Sequence, residues 1–142
     1  MSKNKKPNTI KAPAETKQPR ANAQNIPSPL SPLWSFRRID IDGPWCFTKI
    51  SRDHLREVLE RLKNVETMNW ADLRSGGSHP VDVDQFAKDA KDRLTALKLD
   101  DLDELYSLRV SGEARVWAIK DENVLRLLWW DPNHEICPSP KK

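Results

Sequence analysis

The chain has 142 residues, 24 of them Lys or Arg and 21 Asp or Glu, which allows one domain with a tail. No stretch approaches the roughly 20 apolar residues that cross a bilayer, and the start lacks the apolar core of a secretory signal. Two cysteines, Cys46 and Cys137, make no disulfide or metal framework, so a reduced, cytoplasmic protein with no membrane contact is expected.

The charge is uneven. Residues 1–33 hold six basic residues against Glu15 alone, a net of +5 within a whole-chain +3, which leaves residues 34–142 near −2. This leader is rich in Lys, Asn, Gln, Ser and Pro, with no aromatic residue and no periodic apolar pattern. It cannot offset its ordering entropy and is expected to be disordered. The domain expected over 34–140 is near neutral, which counts against a charge-driven nucleic-acid coat protein; any basic patch on it must be local.

Residues 34–42 alternate well enough for a strand that Gly43 and Pro44 end, and 45–50 give a second short strand or an extended return. A helix starts near Ser51 or Asp53. Leu55, Val58, Leu59, Leu62 and Val65 fall on one face of it, with Arg56, Glu57, Glu60, Arg61 and Lys63 opposite. Asn69 opens a short helix with Asp72 in its first turn, and 74–80 reads as a loop. A further helix over 83–97 carries the stripe Val83, Phe86, Ala87, Ala90, Leu94 and Leu97. Beyond an acidic connector, strands over 104–110, 114–119 and 124–130 form an antiparallel meander, turning at Ser111-Gly112 and at 120–123. The expected fold is α+β: a small antiparallel sheet of the N-terminal strand and the meander, packed on two to three helices that cover one face.

Strand side chains alternate between faces, so the meander sorts into two sets. One is apolar: Tyr106, Leu108, Val110, Ala114, Val116, Ala118, Leu125, Leu127 and Trp129. The other holds Ser107, Arg109, Arg115, Trp117, Arg126 and Trp130, and is expected to stay uncovered. Arginines beside tryptophans suit phosphates and stacked bases. Arg115, mid-strand between Ala114 and Val116, is the leading candidate, because its planar fork of donors matches a phosphate and the charge that develops during phosphoryl transfer. Its structural reading is a cross-strand pair with Glu113 or Asp121. Arg109 and Arg126 are its expected neighbours. Trp117 and Trp130 serve either as base platforms or as a second core with Trp34, Phe36 and Trp45. His134 follows the Asp131-Pro132-Asn133 turn, where it could act as acid or base; an exposed inert histidine is the plainer role.

With these residues in view, the segment 104–137 resembles the RelE/ParE superfamily of bacterial toxins. The likeness rests on the strand ending at Arg109, the Ser111-Gly112 turn, Arg115-Val116-Trp117 in the next strand, the strand 124–130, and the tail from His134 to Cys137. The preceding strand and helical pair match in order. The resemblance implies an mRNA interferase of a type II toxin–antitoxin pair, cutting ribosome-bound mRNA by 2′-OH attack without metal or cofactor. Arg115 would support the attack, Arg109 would hold phosphate, and His134 would be the acid or base. Cys137 falls where a tyrosine commonly stands in that family. Lys88, Lys91 and Lys98 are available as contributing lysines. A cognate antitoxin protein is the implied partner. The alternative is a non-catalytic protein on the same scaffold that works by binding another protein, either a gyrase poison or a plain interaction module.

Overall fold

The structure, a computed structural model, describes residues 31–138. Most of the expected leader, and the last two positions of the expected domain, lie outside the described residues. The elements in chain order are β1 (Leu33–Ser35), α1 (Arg52–Val65), α2 (Trp70–Ser75), β2 (His79–Asp82), α3 (Lys88–Ala96), β3 (Glu104–Ser111), β4 (Ala114–Asp121) and β5 (Val124–Asp131). Single turns of 3₁₀-helix precede α1 at Phe47–Lys49 and α3 at Val83–Gln85. The fold is α+β, with a mixed five-stranded sheet in the order β1-β5-β4-β3-β2. The C-terminal meander forms as expected, and β1 joins β5 in parallel.

Local chemistry accounts for the helices. Ser51 caps α1 by accepting from the His54 N–H at 3.2 Å, and Asn69 caps α2 by accepting from the Asp72 N–H at 2.8 Å. The third helix begins at Lys88, five residues later than the apolar stripe suggests. Phe86 and Ala87 are extended, and the Ala87 N–H bonds the Ile136 carbonyl at 2.8 Å. Residues 79–82, expected partly as loop, instead form an edge strand paired antiparallel with β3. Pro80 fits there because an edge strand leaves one side of its backbone without ladder bonds.

Both faces of the sheet are covered, contrary to the expected bare arginine face. On one face Val58 and Val65 of α1 and Leu73 of α2 pack on Tyr106, Leu108, Val116, Leu125 and Leu127. On the other, Phe86 with Ala90 and Leu94 of α3 packs on Leu105, Trp117, Leu128 and Trp129. Leu55 and Leu59, expected in the core, are 43% and 57% exposed.

A β-bulge in β5 puts Trp129 and Trp130 on the faces opposite those expected. Trp117 pairs with Trp129 while Ala118 pairs with Leu127, so Leu128 is one residue too many. Beyond it the parity reverses. Trp130 joins the α1 face, edge-on to His54 with ring centroids 5.2 Å apart, and Trp129 joins the α3 face beside Trp45 at 5.1 Å. The bulged strand is served from the N-terminal loop. The Asp40 N–H bonds the Leu128 carbonyl at 3.1 Å, and the Trp130 N–H bonds the Trp45 carbonyl at 2.8 Å.

Asp40 anchors that loop. Its buried carboxylate accepts from Arg93 Nη2 at 2.6 Å, Arg93 Nε at 2.8 Å, Trp129 Nε1 at 2.9 Å and the Gly43 N–H at 3.1 Å. A Cβ at Gly43 would collide with this carboxylate and lie 2.7 Å from Arg93 Nε, so the position requires glycine. The Arg93 hydrogen bond, chiefly, holds the Asp40 carboxyl below its ordinary value against the opposing effect of burial. A depressed folded-state value stabilises the fold above the ordinary value and stops doing so as pH falls through the depressed one. Wild-type stability should therefore drop on acidification below about pH 4, and Asp40→Asn should flatten that limb of the melting-temperature profile. At neutral pH, Asp40→Ala should cost about 3 kcal/mol in urea unfolding, since Arg93 and Trp129 lose their acceptor.

Tyr106, the one tyrosine in the chain, is pushed up to about 12 by burial. Its folded value lies above its unfolded one, so its stabilising effect is full below about pH 10 and vanishes as pH rises toward the folded value. Tyrosinate absorbance should report an ionisation near 12 in the native protein and near 10 in denaturant.

Candidate functional site

A cleft of about 440 Å³ opens where the β2 edge of the sheet meets the segment after β5. Arg115, Trp117, His134, His79, Ser107 and Gln85 are among its lining residues. Register places these groups. His79 pairs with Ser107 and Ser107 with Trp117, which makes one row, while Arg109 pairs with Arg115 and Arg115 with Asp131, which makes the next.

Asp131 shapes the wall. It is fully buried, yet among the described residues it forms no ion pair. Its carboxylate instead accepts from the Glu135 N–H at 2.9 Å, the Ile136 N–H at 3.0 Å and Trp117 Nε1 at 3.2 Å. These bonds fold residues 132–136 into a hook whose tip, His134, takes the left-handed backbone conformation at φ 58°. Ile136 is thereby buried in the α3-side core, and His134 lies half-buried at the cleft.

Because Asp131 is committed to N–H donors, Arg115 has no carboxylate partner among the described residues. The expected structural pairing does not occur; Asp121 pairs with Arg126 at 2.9 Å. Arg115 Nη1 donates to the Gly112 carbonyl at 2.7 Å and the Ala114 carbonyl at 3.1 Å, which fixes the plane of the guanidinium. Its Nε and Nη2 donate to nothing among the described residues. Burial lowers this guanidinium from its ordinary value and Arg109 adds to the effect, while Asp131 and Glu113 oppose it. It stays charged at any physiological pH. A half-buried cation with unused donors is a ready anion ligand.

Arg109 lies beside it, held by its backbone. Its N–H bonds Ser78 Oγ at 2.9 Å, and its carbonyl accepts from Arg61 Nε at 2.8 Å. Gly77, at φ +96°, passes so close that a Cβ there would sit 3.2 Å from Arg109 Cδ.

The other expected members divide. Trp117 lines the cleft but is 1% exposed, edge-on to Phe86 with centroids 5.1 Å apart, so it is a wall and cannot offer a face for stacking. Trp130 lies on the opposite face of the sheet because of the bulge. Arg126 shares the Arg115 face but sits at the other end of the strands, paired across from Ile119. Two further residues, Cys137 and His79, also line the cleft. Cys137 donates its thiol to the Gln85 carbonyl at 3.5 Å, and burial, followed by the charge of Asp131, pushes that thiol up, so it is neutral. His79 lies within 2.9 Å of the Pro80 carbonyl through Nδ1. A carbonyl only accepts, so Nδ1 carries the proton and Nε2 of the neutral ring is left as a base.

No family model, no curated protein and no solved structure matches the chain. Among the described residues, no helix is long and apolar enough to cross a membrane.

If Asp131 builds the hook, Asp131→Ala should strand three N–H donors. The expected cost is about 2–4 kcal/mol in urea unfolding, with faster proteolysis around residues 133–138 in the native protein.

Proposed function

We propose that the chain is a toxin-type endoribonuclease that cuts RNA by attack of a ribose 2′-OH on the adjacent phosphate. The observation that carries this reading is Arg115: its Nε and Nη2 are unpaired among the described residues, and it shares one cleft with two imidazoles, His79 and His134. The resemblance of residues 104–137 to the RelE/ParE superfamily points the same way.

The chemistry needs three parts. Nε2 of neutral His79 takes the proton of the 2′-OH, and that oxygen attacks phosphorus. Arg115, assisted by Arg109, stabilises the negative charge that builds on the phosphoryl oxygens. Protonated His134 gives its proton to the departing 5′-oxygen. The products are a 2′,3′-cyclic phosphate and a 5′-hydroxyl, and no metal takes part. Ser107 and Gln85 supply hydrogen bonds for the sugar or base. Leu55 and Leu59, exposed along one side of α1, support a protein partner, which in this reading is the antitoxin.

Induced expression should arrest growth and fragment mRNA. Arg115→Ala should slow cleavage by about 10²–10³-fold, and His134→Ala and His79→Ala each by about 10²-fold or more, with melting temperature little changed. Intact RNA in the presence of folded wild-type protein would count decisively against the reading.

A further inference from the structure

A second basic cleft, of about 450 Å³, opens at the other end of the Arg115 face. Arg37, Arg38, Lys98 and Arg126 contribute four cations to its lining, and Asp101 and Asp121 two carboxylates. Leu99, Leu102 and Ile119 complete the wall. In a domain whose net charge is near −2, such a concentration is a local exception. Three different parts of the chain bring the cations together.

Arg37 and Arg38 are the two central residues of a tight turn closed by the Ile39 N–H to the Phe36 carbonyl at 3.1 Å. Both are exposed. Arg126 comes from β5 and is already paired with Asp121 at 2.9 Å. Lys98 follows the last turn of α3. Among the described residues, neither Lys98 nor either turn arginine forms an ion pair.

Lys98 stands where the backbone favours another residue. Its φ is 61°, in the left-handed region, and the Leu99 N–H reaches back to the Leu94 carbonyl at 2.8 Å. This is the Schellman ending of a helix, whose left-handed position is usually glycine. A lysine there carries a conformational cost that glycine would not. The turn thus places a lysine, where glycine would be less strained, beside three other cations.

We infer that this cleft is a second phosphate-binding site, which holds the backbone of a single-stranded nucleic acid away from the Arg115 cleft. Its ligand chemistry is the phosphodiester: planar arginine forks and a lysine point charge suit phosphate oxygens. The inference extends the RNA reading of the Arg115 cleft to flanking phosphates of the same strand, the two sites lying at opposite ends of β4.

Oligothymidylate DNA is the probe. It lacks the 2′-OH, so its binding is measured whether or not the protein cuts RNA. Wild-type protein should bind it with a salt-dependent affinity. The double variant R37A/R38A should weaken binding, and the slope of log affinity against log salt should fall by about 0.7 for each phosphate that the variant no longer neutralises. Lys98→Gly should raise the melting temperature by a few degrees while it weakens binding, a split that a purely structural lysine would not produce. Unchanged affinity and salt slope in both variants would overturn the inference. So would tighter binding of polyglutamate than of the oligonucleotide through the same three residues, which would assign the cleft to an acidic peptide. Binding that depends on these residues, in a protein that leaves RNA intact, supports this site and refutes the cleavage reading alone.

Discussion

One buried carboxylate, Asp131, sets the geometry on which the cleft depends. It closes β5, faces Arg115 across the β4–β5 ladder, and bonds two backbone N–H groups of the segment that follows together with the indole of Trp117. Each bond has a separate consequence. The backbone pair turns the chain back so that Ile136 fills the core on the α3 side and His134 reaches the cleft. The indole bond fixes Trp117 as a wall. With its oxygens occupied in this way, the carboxylate does not pair with Arg115, whose Nε and Nη2 donate to nothing among the described residues. A buried charge without an ionic partner is costly unless N–H donors surround it, and here they do.

The N-terminal loop plays the matching part on the other side of β5. The bulge at Leu128 turns its carbonyl toward Asp40 N–H and sends Trp129 to the α3 face, where its indole meets the Asp40 carboxylate. Arg93 of α3 completes that clamp. Two buried aspartates, each joined to a tryptophan indole, thus tie segments distant in sequence to the same strand pair. Lys98, just past the end of the helix held by the Asp40 clamp, lines the second basic cleft.

Much of this could be read in advance, where the pattern is local. The period of two in residues 104–130 gives the meander, and the Ser51 cap with Val58, Leu62 and Val65 gives α1. The face assignments failed at Trp129 and Trp130, because one inserted residue reverses parity and leaves no mark in a run of apolar side chains. The helix stripe from Val83 merged a 3₁₀ turn with α3, since both place apolar groups on one side. The roles of Asp40 and Asp131 rest on partners 53 and 89 residues away in the first case and 14 in the second, and on a carboxylate that looks like any other in the chain. His79 was hidden for the same reason: only the pairing of β2 with β3 brings it to the cleft. Arg115 and His134, which line the cleft, stand out in the sequence because an arginine inside a strand, or a histidine just after a turn, departs from what packing alone requires.

The most direct test of the account is the chemistry of the RNA ends left by the wild-type protein in the presence of a metal chelator. Attack by a 2′-OH, assisted by Arg115 and two histidines, predicts a 2′,3′-cyclic phosphate on one fragment and a 5′-hydroxyl on the other. Fragments ending in 5′-phosphate and 3′-hydroxyl, or cleavage that stops when the chelator is added, would contradict it.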